Sequence, residues 1–277
     1  MTETTQGTAP VFYPESDGQP MTESDPTRDY LIYCVETLEI FFQGRKNVYV
    51  SGNLFIYYRE GDPKKSISPD VFVTFGVSKR KRRSYKAWQE GGKLPSFVLE
   101  ITSLSTRKQD EVEKPKLYAE LGIQEYFQYD PTRDYLNPQL KGARLTEGRY
   151  QSLPLEHRKD GTPFIHSQTL GLDLILQTPT VQASPVQGLA PLPLELRFYD
   201  PQTDTKLLNY RELDLARERA EQERTEAEQA RERAEQERTE AEQARERAEQ
   251  ERTEAVPRLL AMGLTVEQVA GSIGLFG

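Results

Sequence analysis

From Ala216 onward the stretch ARERAEQERTEAEQ recurs with a period of fourteen residues, two heptads. One seam is alanine throughout, at Ala220, Ala227, Ala234, Ala241, Ala248 and Ala255. The seam three residues on alternates charge with alanine, at Glu223, Ala230, Glu237, Ala244 and Glu251. Such seams remove little apolar surface from water, so a coiled coil built on them is weak. Arg-to-Glu pairs at i,i+4, such as Arg217–Glu221 and Arg224–Glu228, instead support an isolated helix by about 0.2–0.5 kcal/mol each. Residues 213–256 therefore read as a solvated spacer helix or as a dimerising coil, and any core lies in the residues before them. The repeat also holds most of the acidity. Residues 213–255 carry 9 Arg against 14 Glu and 1 Asp, which leaves 27 basic and 29 acidic residues elsewhere. The formal net charge of −8 is thus mainly the tail's property, and it says little against a polyanionic partner for the body.

What remains suffices for one domain of about 150–200 residues with appendages. The single cysteine, Cys34, excludes an intrachain disulfide and fits a reducing compartment. No stretch approaches the roughly twenty apolar residues of a membrane span. The N-terminus MTETTQGTAP lacks a basic-then-apolar signal pattern. A cytoplasmic protein with no membrane partner is the expectation. With 2 His and 1 Cys the chain has almost no zinc ligands, so a catalytic metal would be held by oxygen.

Residues 1–24, rich in Thr, Glu, Pro and Gly, read as a flexible N-terminal arm. Asp25-Pro26 then reads as an N-cap followed by proline at the first helical position, with Leu31, Val35, Leu38 and Phe42 at helical spacing and Gly44 as the stop. NVYVSGNLFIYY predicts a strand broken near Ser51-Gly52, ISPDVFVTFGV a second, SFVLEIT a third and QEYFQYDP a fourth. Leu117, Tyr118 and Leu121 mark a helix before the fourth strand, with Tyr118 in its core-facing set. The order of helix, three strands, helix and strand predicts a mixed α/β core rather than a regular βαβ alternation. GARLTEGRYQSLP suggests a hairpin about Glu147-Gly148, and LGLDLIL a strand that ends a domain spanning 25–177. A Pro-rich linker over 178–193 and a small hairpin fill 178–212, and a short helical segment with Thr265 as its cap closes the chain over 257–277.

Within SFVLEITSLST a carboxylate, Glu100, interrupts an apolar run. Carboxylates are rarely buried unless paired, protonated or metal-bound. Strand alternation sets Val98, Glu100 and Thr102 on one face and Phe97, Leu99 and Ile101 on the other. Either the Glu100 face meets solvent, or Glu100 converges on a metal with acids from elsewhere. Asp70, after Pro69 at the start of a strand, is the first candidate partner, and Glu36 or Glu39 on the first helix is another. Two carboxylates with water and substrate phosphate are a common way to hold Mg²⁺. A lysine near them would position the nucleophile or stabilise the transition state, and Arg107, Lys108, Lys114 and Lys116 all follow Glu100.

Pro69-Asp70, VLEITSLST at 98–106, D-x-x-E-K at 110–114 and LYAELGIQEYFQYDP at 117–131 together resemble the Uma-type family of bacterial restriction endonucleases, part of the PD-(D/E)XK nuclease superfamily. The resemblance spans about residues 25–175. It implies a restriction-endonuclease-like mixed sheet flanked by helices and a Mg²⁺- or Mn²⁺-dependent endonuclease acting on DNA as a homodimer. By the same resemblance Asp70 and Glu100 match the metal-binding acids, Lys114 the catalytic lysine, and Glu36, more weakly, a first-helix glutamate. The plain motif has lysine two positions after the second acid, where this chain has Thr102. The lysine has therefore migrated, and Pro115 behind Lys114 either starts the helix there or kinks it. Five consecutive cations, Lys79, Arg80, Lys81, Arg82 and Arg83, read as a solvated loop tip or as a grip on DNA phosphates, with Tyr85 or Trp88 beside it. A nuclease fold that binds without cutting, or a scaffold acting through the heptad tail, are the other functions these features allow.

Overall fold

The computed structural model describes residues 11–15, 24–179 and 192–272. The rest of the expected N-terminal arm and nearly all of the Pro-rich linker lie outside the described residues. The chain divides into two compact units, residues 1–211 and 212–277.

In the first unit, α1 (Asp25–Phe41) is capped by Ser24, whose hydroxyl accepts from the Thr27 N–H, one residue earlier than the Asp25 cap expected. Strands β1 (Val48–Ser51), β2 (Ile56–Tyr57), β3 (Ser66–Ile67), β4 (Val71–Phe75) and β5 (Tyr85–Lys86) follow, and then β6 (Phe97–Ile101). A helical stretch ends in α2 (Lys114–Glu120) and leads to β7 (Glu125–Tyr129), β8 (Leu140–Thr146) and β9 (Arg149–Ser152). Next come β10 (Glu156–His157), β11 (Pro163–Ser167), β12 (Leu172–Gln177), β13 (Glu195–Asp200) and β14 (Thr205–Lys206). They form a six-stranded sheet in the order β1-β4-β6-β7-β8-β9, a five-stranded sheet β10-β11-β12-β13-β14 and a small sheet β3-β2-β5. The large sheet is mixed, because β6 and β7 run parallel across the α2 connection while its other pairings are antiparallel. The α/β class expected from the order of elements is the one observed.

Both faces of the central strands are covered. Phe97, Leu99 and Ile101 pack with Cys34 and Leu38 of α1, with Phe42 at its end, and with Leu174, Leu196 and Phe198 of the second sheet. Val98 on the other face packs with Phe72, Tyr85, Tyr118 and Tyr126. At about 1.5–3 kcal/mol for each large apolar side chain buried, these two layers hold β6 in the middle of the molecule. That disposes of the solvent-facing alternative for Glu100, whose residue is 0% exposed.

Two boundaries differ from expectation. The strand predicted over NVYVSGNLFIYY is split between two sheets, since β1 pairs with β4 while β2 pairs with β3 and β5. The hairpin placed after the linker belongs to the domain, because β13 pairs with β12 from Asp173↔Tyr199 to Gln177↔Glu195 and buries Leu196 and Phe198. Alternating apolar residues in LELRFYD serve such a strand as well as a free hairpin, so only the pairing distinguishes them. The hairpin about Glu147-Gly148 forms as expected, with both residues at positive φ of 51° and 76° in the turn between β8 and β9.

In the second unit, α3 (Tyr210–Ala261) is a single helix of 52 residues with none buried. It continues through Pro257, past the expected limit at residue 256. Thr265 caps α4 (Val266–Ser272), accepting from the Gln268 N–H while the Gln268 side chain accepts from the Thr265 N–H, a reciprocal box. Among the described residues no helix is long and apolar enough to cross a membrane.

Candidate active site

Antiparallel pairing of β4 with β6 runs Val73↔Phe97, Phe72↔Val98, Val71↔Leu99. Continued by one residue, that register sets Asp70 opposite Glu100, and residues directly opposite across an antiparallel pair point to the same face. The Asp70 carboxylate is further tied to the neighbouring strand, where Oδ2 accepts from the Ile101 N–H at 2.8 Å. Burial and the Glu100 carboxylate beside it hold Asp70 well above its usual range, against the lowering influence of Lys114 and the Ile101 N–H. In physical terms the two acids are close enough to compete for one charge.

Close approach of the backbone makes this possible. A β-carbon on Gly52 would lie 2.2 Å from the Asp70 carbonyl oxygen and 3.0 Å from a Val35 methyl group. The Asn53 N–H donates to the Pro69 carbonyl at 3.1 Å in the same crossing. Glycine at position 52 therefore both breaks the expected strand and lets the chain pass under Asp70.

Glu100 has partners on both oxygens. Lys114 Nζ donates to Oε2 at 2.8 Å and the Tyr118 hydroxyl to Oε1 at 2.6 Å. Tyr118 is core as expected, at 1% exposure, but its hydroxyl also belongs to the site. Burial and the Glu100 carboxylate push that phenol well above its usual range. Burial works to lower the Lys114 amine, but the carboxylates of Glu100 and Asp110 outweigh it and hold the amine protonated. Asp110, four residues before Lys114 in the same motif, lies 2.8 Å from the same amine and is 1% exposed.

The question of how Lys114 reaches the acids despite Pro115 has a local answer. Residues Gln109–Glu113 form a π-helical turn that runs directly into α2, with the Lys114 N–H bonded five residues back to the Gln109 carbonyl. The helix neither begins at the proline nor simply bends there; it widens before it. Pro115 has no N–H to offer the carbonyls behind it, and the Tyr126 hydroxyl supplies the Asp110 carbonyl with a hydrogen bond at 2.6 Å. π-Turns of this kind recur at functional sites. Of the other lysines considered, Lys116 is exposed and Lys108 pairs with Glu113 at 3.7 Å.

The remaining candidates are placed elsewhere. Glu36 lies on α1 and is half-buried. Among the described residues no three His, Cys, Asp or Glu side chains converge to hold a metal. Asp70 and Glu100 alone could hold a cation, which suits Mg²⁺, since it is commonly bound by one or two carboxylates plus water and phosphate. A cleft of about 250 Å³ lined by Ser66, Ser68, Gln109, Glu113, Lys114 and Tyr118 opens beside them.

The run of five cations is not a free basic strip. The Arg82 side chain is 4% exposed, pairs with Glu90 at 3.0 Å and lies 4.2 Å over the Tyr49 ring, so it is a core ion pair. Lys79 donates to the Phe42 and Gln43 carbonyls at 2.6 and 3.1 Å, capping the end of α1. Arg80, Lys81 and Arg83 are exposed, each beside one carboxylate: Glu90, Glu39 and Glu15 respectively. Partners for Arg82 and Lys79 come from 8 and 37 residues away, which a local reading of charge does not find. Tyr85 is core, fully buried. Trp88 packs not on the run but on Tyr13, at 5.1 Å between ring centroids, so residues 11–15 of the arm rest on the domain.

A mixed sheet with an acid on each of two paired strands and a lysine from the following helix is the arrangement of a nuclease-type α/β domain. The chain belongs to the Uma2 family, described as a putative restriction endonuclease, whose model matches residues 17–177, more than half of the chain. Among solved structures it is similar to a putative nuclease of the DUF820 group from Anabaena variabilis, at 15% identity over 51% of this chain and 75% of that one, with a TM-score of 0.35. No protein of curated function matches it.

Proposed function

We propose that this protein is a metal-dependent endonuclease that hydrolyses DNA phosphodiester bonds at the Asp70–Glu100–Lys114 centre. The observation that carries the reading is the β4–β6 register, which brings two carboxylates of distant sequence to one point with the Lys114 amine at 2.8 Å from one of them. Asp70 and Glu100 would hold Mg²⁺ or Mn²⁺, and such an ion, when bound, lowers the pKa of its water and neutralises charge on the transferring phosphoryl group. Lys114, protonated and fixed on Glu100, would orient the nucleophile or meet the negative charge that builds on the phosphate oxygens. Tyr118 keeps the free rotation of the Glu100 carboxylate in check, so its second oxygen does not turn away. The exposed cations Arg80, Lys81 and Arg83 are the part of the basic run that remains able to meet DNA phosphates. Cutting both strands requires two such centres, which a homodimer would supply.

The test is a cleavage assay on duplex and single-stranded DNA with Mg²⁺ and with Mn²⁺. Asp70→Ala and Glu100→Ala should each abolish cutting while leaving DNA binding in place, and Lys114→Met should lower the rate by two orders of magnitude or so, about the loss seen when one charge-stabilising donor is removed. Wild-type protein that binds DNA but cuts none with either metal would overturn the enzyme reading.

A further inference from the structure

We infer that Asp110 and Thr102 are positioning residues that fix the Lys114 amine against Glu100. The strand position where the plain motif keeps its lysine thereby supports a lysine that has moved to the helix. The kinetic consequence rests on the nuclease reading above, whereas the structural one rests on geometry alone.

Thr102 has no exposed surface and lies on the Glu100 face of the strand, two residues on. Its hydroxyl contacts Asp110 Oδ2 at 2.7 Å and also meets the Tyr135 hydroxyl. A hydroxyl has one hydrogen to give. The Asp110 carboxylate can only accept from it, so Thr102 accepts from Tyr135. The order of donation is then fixed: Tyr135 to Thr102, Thr102 to Asp110. Lys114 Nζ stands 2.8 Å from Asp110 Oδ1 and 2.8 Å from Glu100 Oε2, a bridge between the two carboxylates.

A lysine side chain has many rotamers, and one contact with Glu100 would leave much of that freedom available. The second contact removes it. Asp110 can act as an anchor because it is itself held from two sides, by the Thr102 hydroxyl on its side chain and by the Tyr126 hydroxyl on its carbonyl at 2.6 Å. Four residues apart on the helix, Asp110 and Lys114 already face the same way, and the π-turn between them adapts that face to the strand. The Lys114 side chain, 26% exposed, is the one member of the chain of contacts from Thr102 to Glu100 that also opens on the cleft beside the acids. Neither Asp110 nor Thr102 lines that cleft, so their effect on chemistry passes through the lysine.

The experiment uses full-length protein and three variants, Thr102→Val, Thr102→Ser and Asp110→Ala, with Lys114→Met as the reference. Valine keeps the shape of threonine and loses its donor; serine keeps the donor. Two quantities are read: kcat and KM for DNA cleavage with Mn²⁺, and the ammonium signal of Lys114 in a proton–nitrogen NMR spectrum, assigned by its loss in Lys114→Met. An amine held between two buried carboxylates exchanges slowly with water and gives such a signal. Thr102→Val and Asp110→Ala should each lower kcat by about 100-fold, the scale of a 1 Å misplacement, at unchanged KM, and should erase the signal. Thr102→Ser should restore both. A kcat for Asp110→Ala or Thr102→Val within about threefold of wild type, well short of that expected loss, overturns the inference. So does a Lys114 signal that persists in either variant, is missing from the wild type, or is missing equally from Thr102→Ser. If Asp110→Ala does not fold, the Thr102 pair decides. If the wild type cuts no DNA, the nuclease reading fails by itself, and the ammonium signal alone upholds or overturns the positioning.

Discussion

Glu100 can keep a carboxylate at the centre of an apolar strand because each of its oxygens has a donor, Lys114 on one and Tyr118 on the other. Without them the cost of a buried charge would be several kcal/mol. Opposite it, Asp70 depends on a residue with no side chain. Replacing Gly52 with alanine puts a methyl group 2.2 Å from the Asp70 carbonyl oxygen, a backbone atom, with a Val35 methyl group 3.0 Å away. Gly52→Ala should therefore destabilise the fold by about 1–3 kcal/mol, the usual range for overpacking. Because the shift is delivered to Asp70, DNA cleavage should fall further than a stability loss of that size explains, measured by thermal unfolding beside the assay. Glu90 gives a prediction in pH. Its carboxyl is held below its ordinary 4.5 mainly by the hydrogen bond from Arg82, with Arg80 adding to it and partial burial opposing. A group with a lowered folded-state pKa adds stability above its unfolded-state value and loses it as pH falls through the folded one. Glu90→Gln should cost on the order of 2 kcal/mol near neutral pH and show a smaller stability loss between neutrality and about pH 3, since the variant has nothing there to protonate. Equal acid slopes for both proteins would refute this.

The helical stretch that bears Lys114 shows how one element can be both irregular and specified. A proline at 115 removes a donor and crowds the preceding turn, the π-turn gives the ring room, and Tyr126 on β7 makes good the hydrogen bond at Asp110. Tyr126→Phe keeps the ring and deletes that bond. It should cost about 1–2 kcal/mol for the carbonyl left unsatisfied, and raise the hydrogen-exchange rate of amides 109–114 more than that of β6. Uniform exchange across both segments would mean that the turn does not depend on Tyr126. Much of the element level was legible in the sequence: Val, Tyr and Phe marked the strands, Thr265 marked a helix start, Gly52 a strand break and the repeat the long helix, although α1 ends at Phe41, before the stop expected at Gly44. The π-turn was not, because it arises from a conflict between a proline and a helix whose resolution needs a tyrosine from another strand.

At the scale of the whole molecule the two units are stabilised by different physics. Residues 24–211 have cores on both faces of a mixed sheet, whereas α3 has 52 residues and buries none, so it relies on intrinsic propensity and i,i+4 charge pairs. Heating should then give two kinds of melting in one chain. Fluorescence of Trp88, the only tryptophan, should report one cooperative transition, while ellipticity at 222 nm should decline gradually from lower temperature, and more so as added salt screens the pairs. Coincident, salt-independent curves would show that the helix is stabilised by packing, as in a tight coiled coil.

What the amino-acid sequence determined by itself was local: which segments are strand or helix, that residues 213–256 are a charged repeat, that any metal would need oxygen ligands, and that Asp70 and Glu100 are acids to examine. These follow from propensity, periodicity and the inventory of side chains, which are properties of neighbours along the chain. Tertiary structure decided the rest. It set the register that places Asp70 across from Glu100, put Lys114 rather than Lys108 or Lys116 on Glu100, turned Arg82 and Lys79 inward, and joined Asp110 to Thr102. The physical reason is one of range. A buried charge is tolerated only where other groups supply its hydrogen bonds, and for Glu100, Asp110 and Arg82 those groups include residues 8 to 18 positions away in the chain, joined to them by the packing of the sheet and helix.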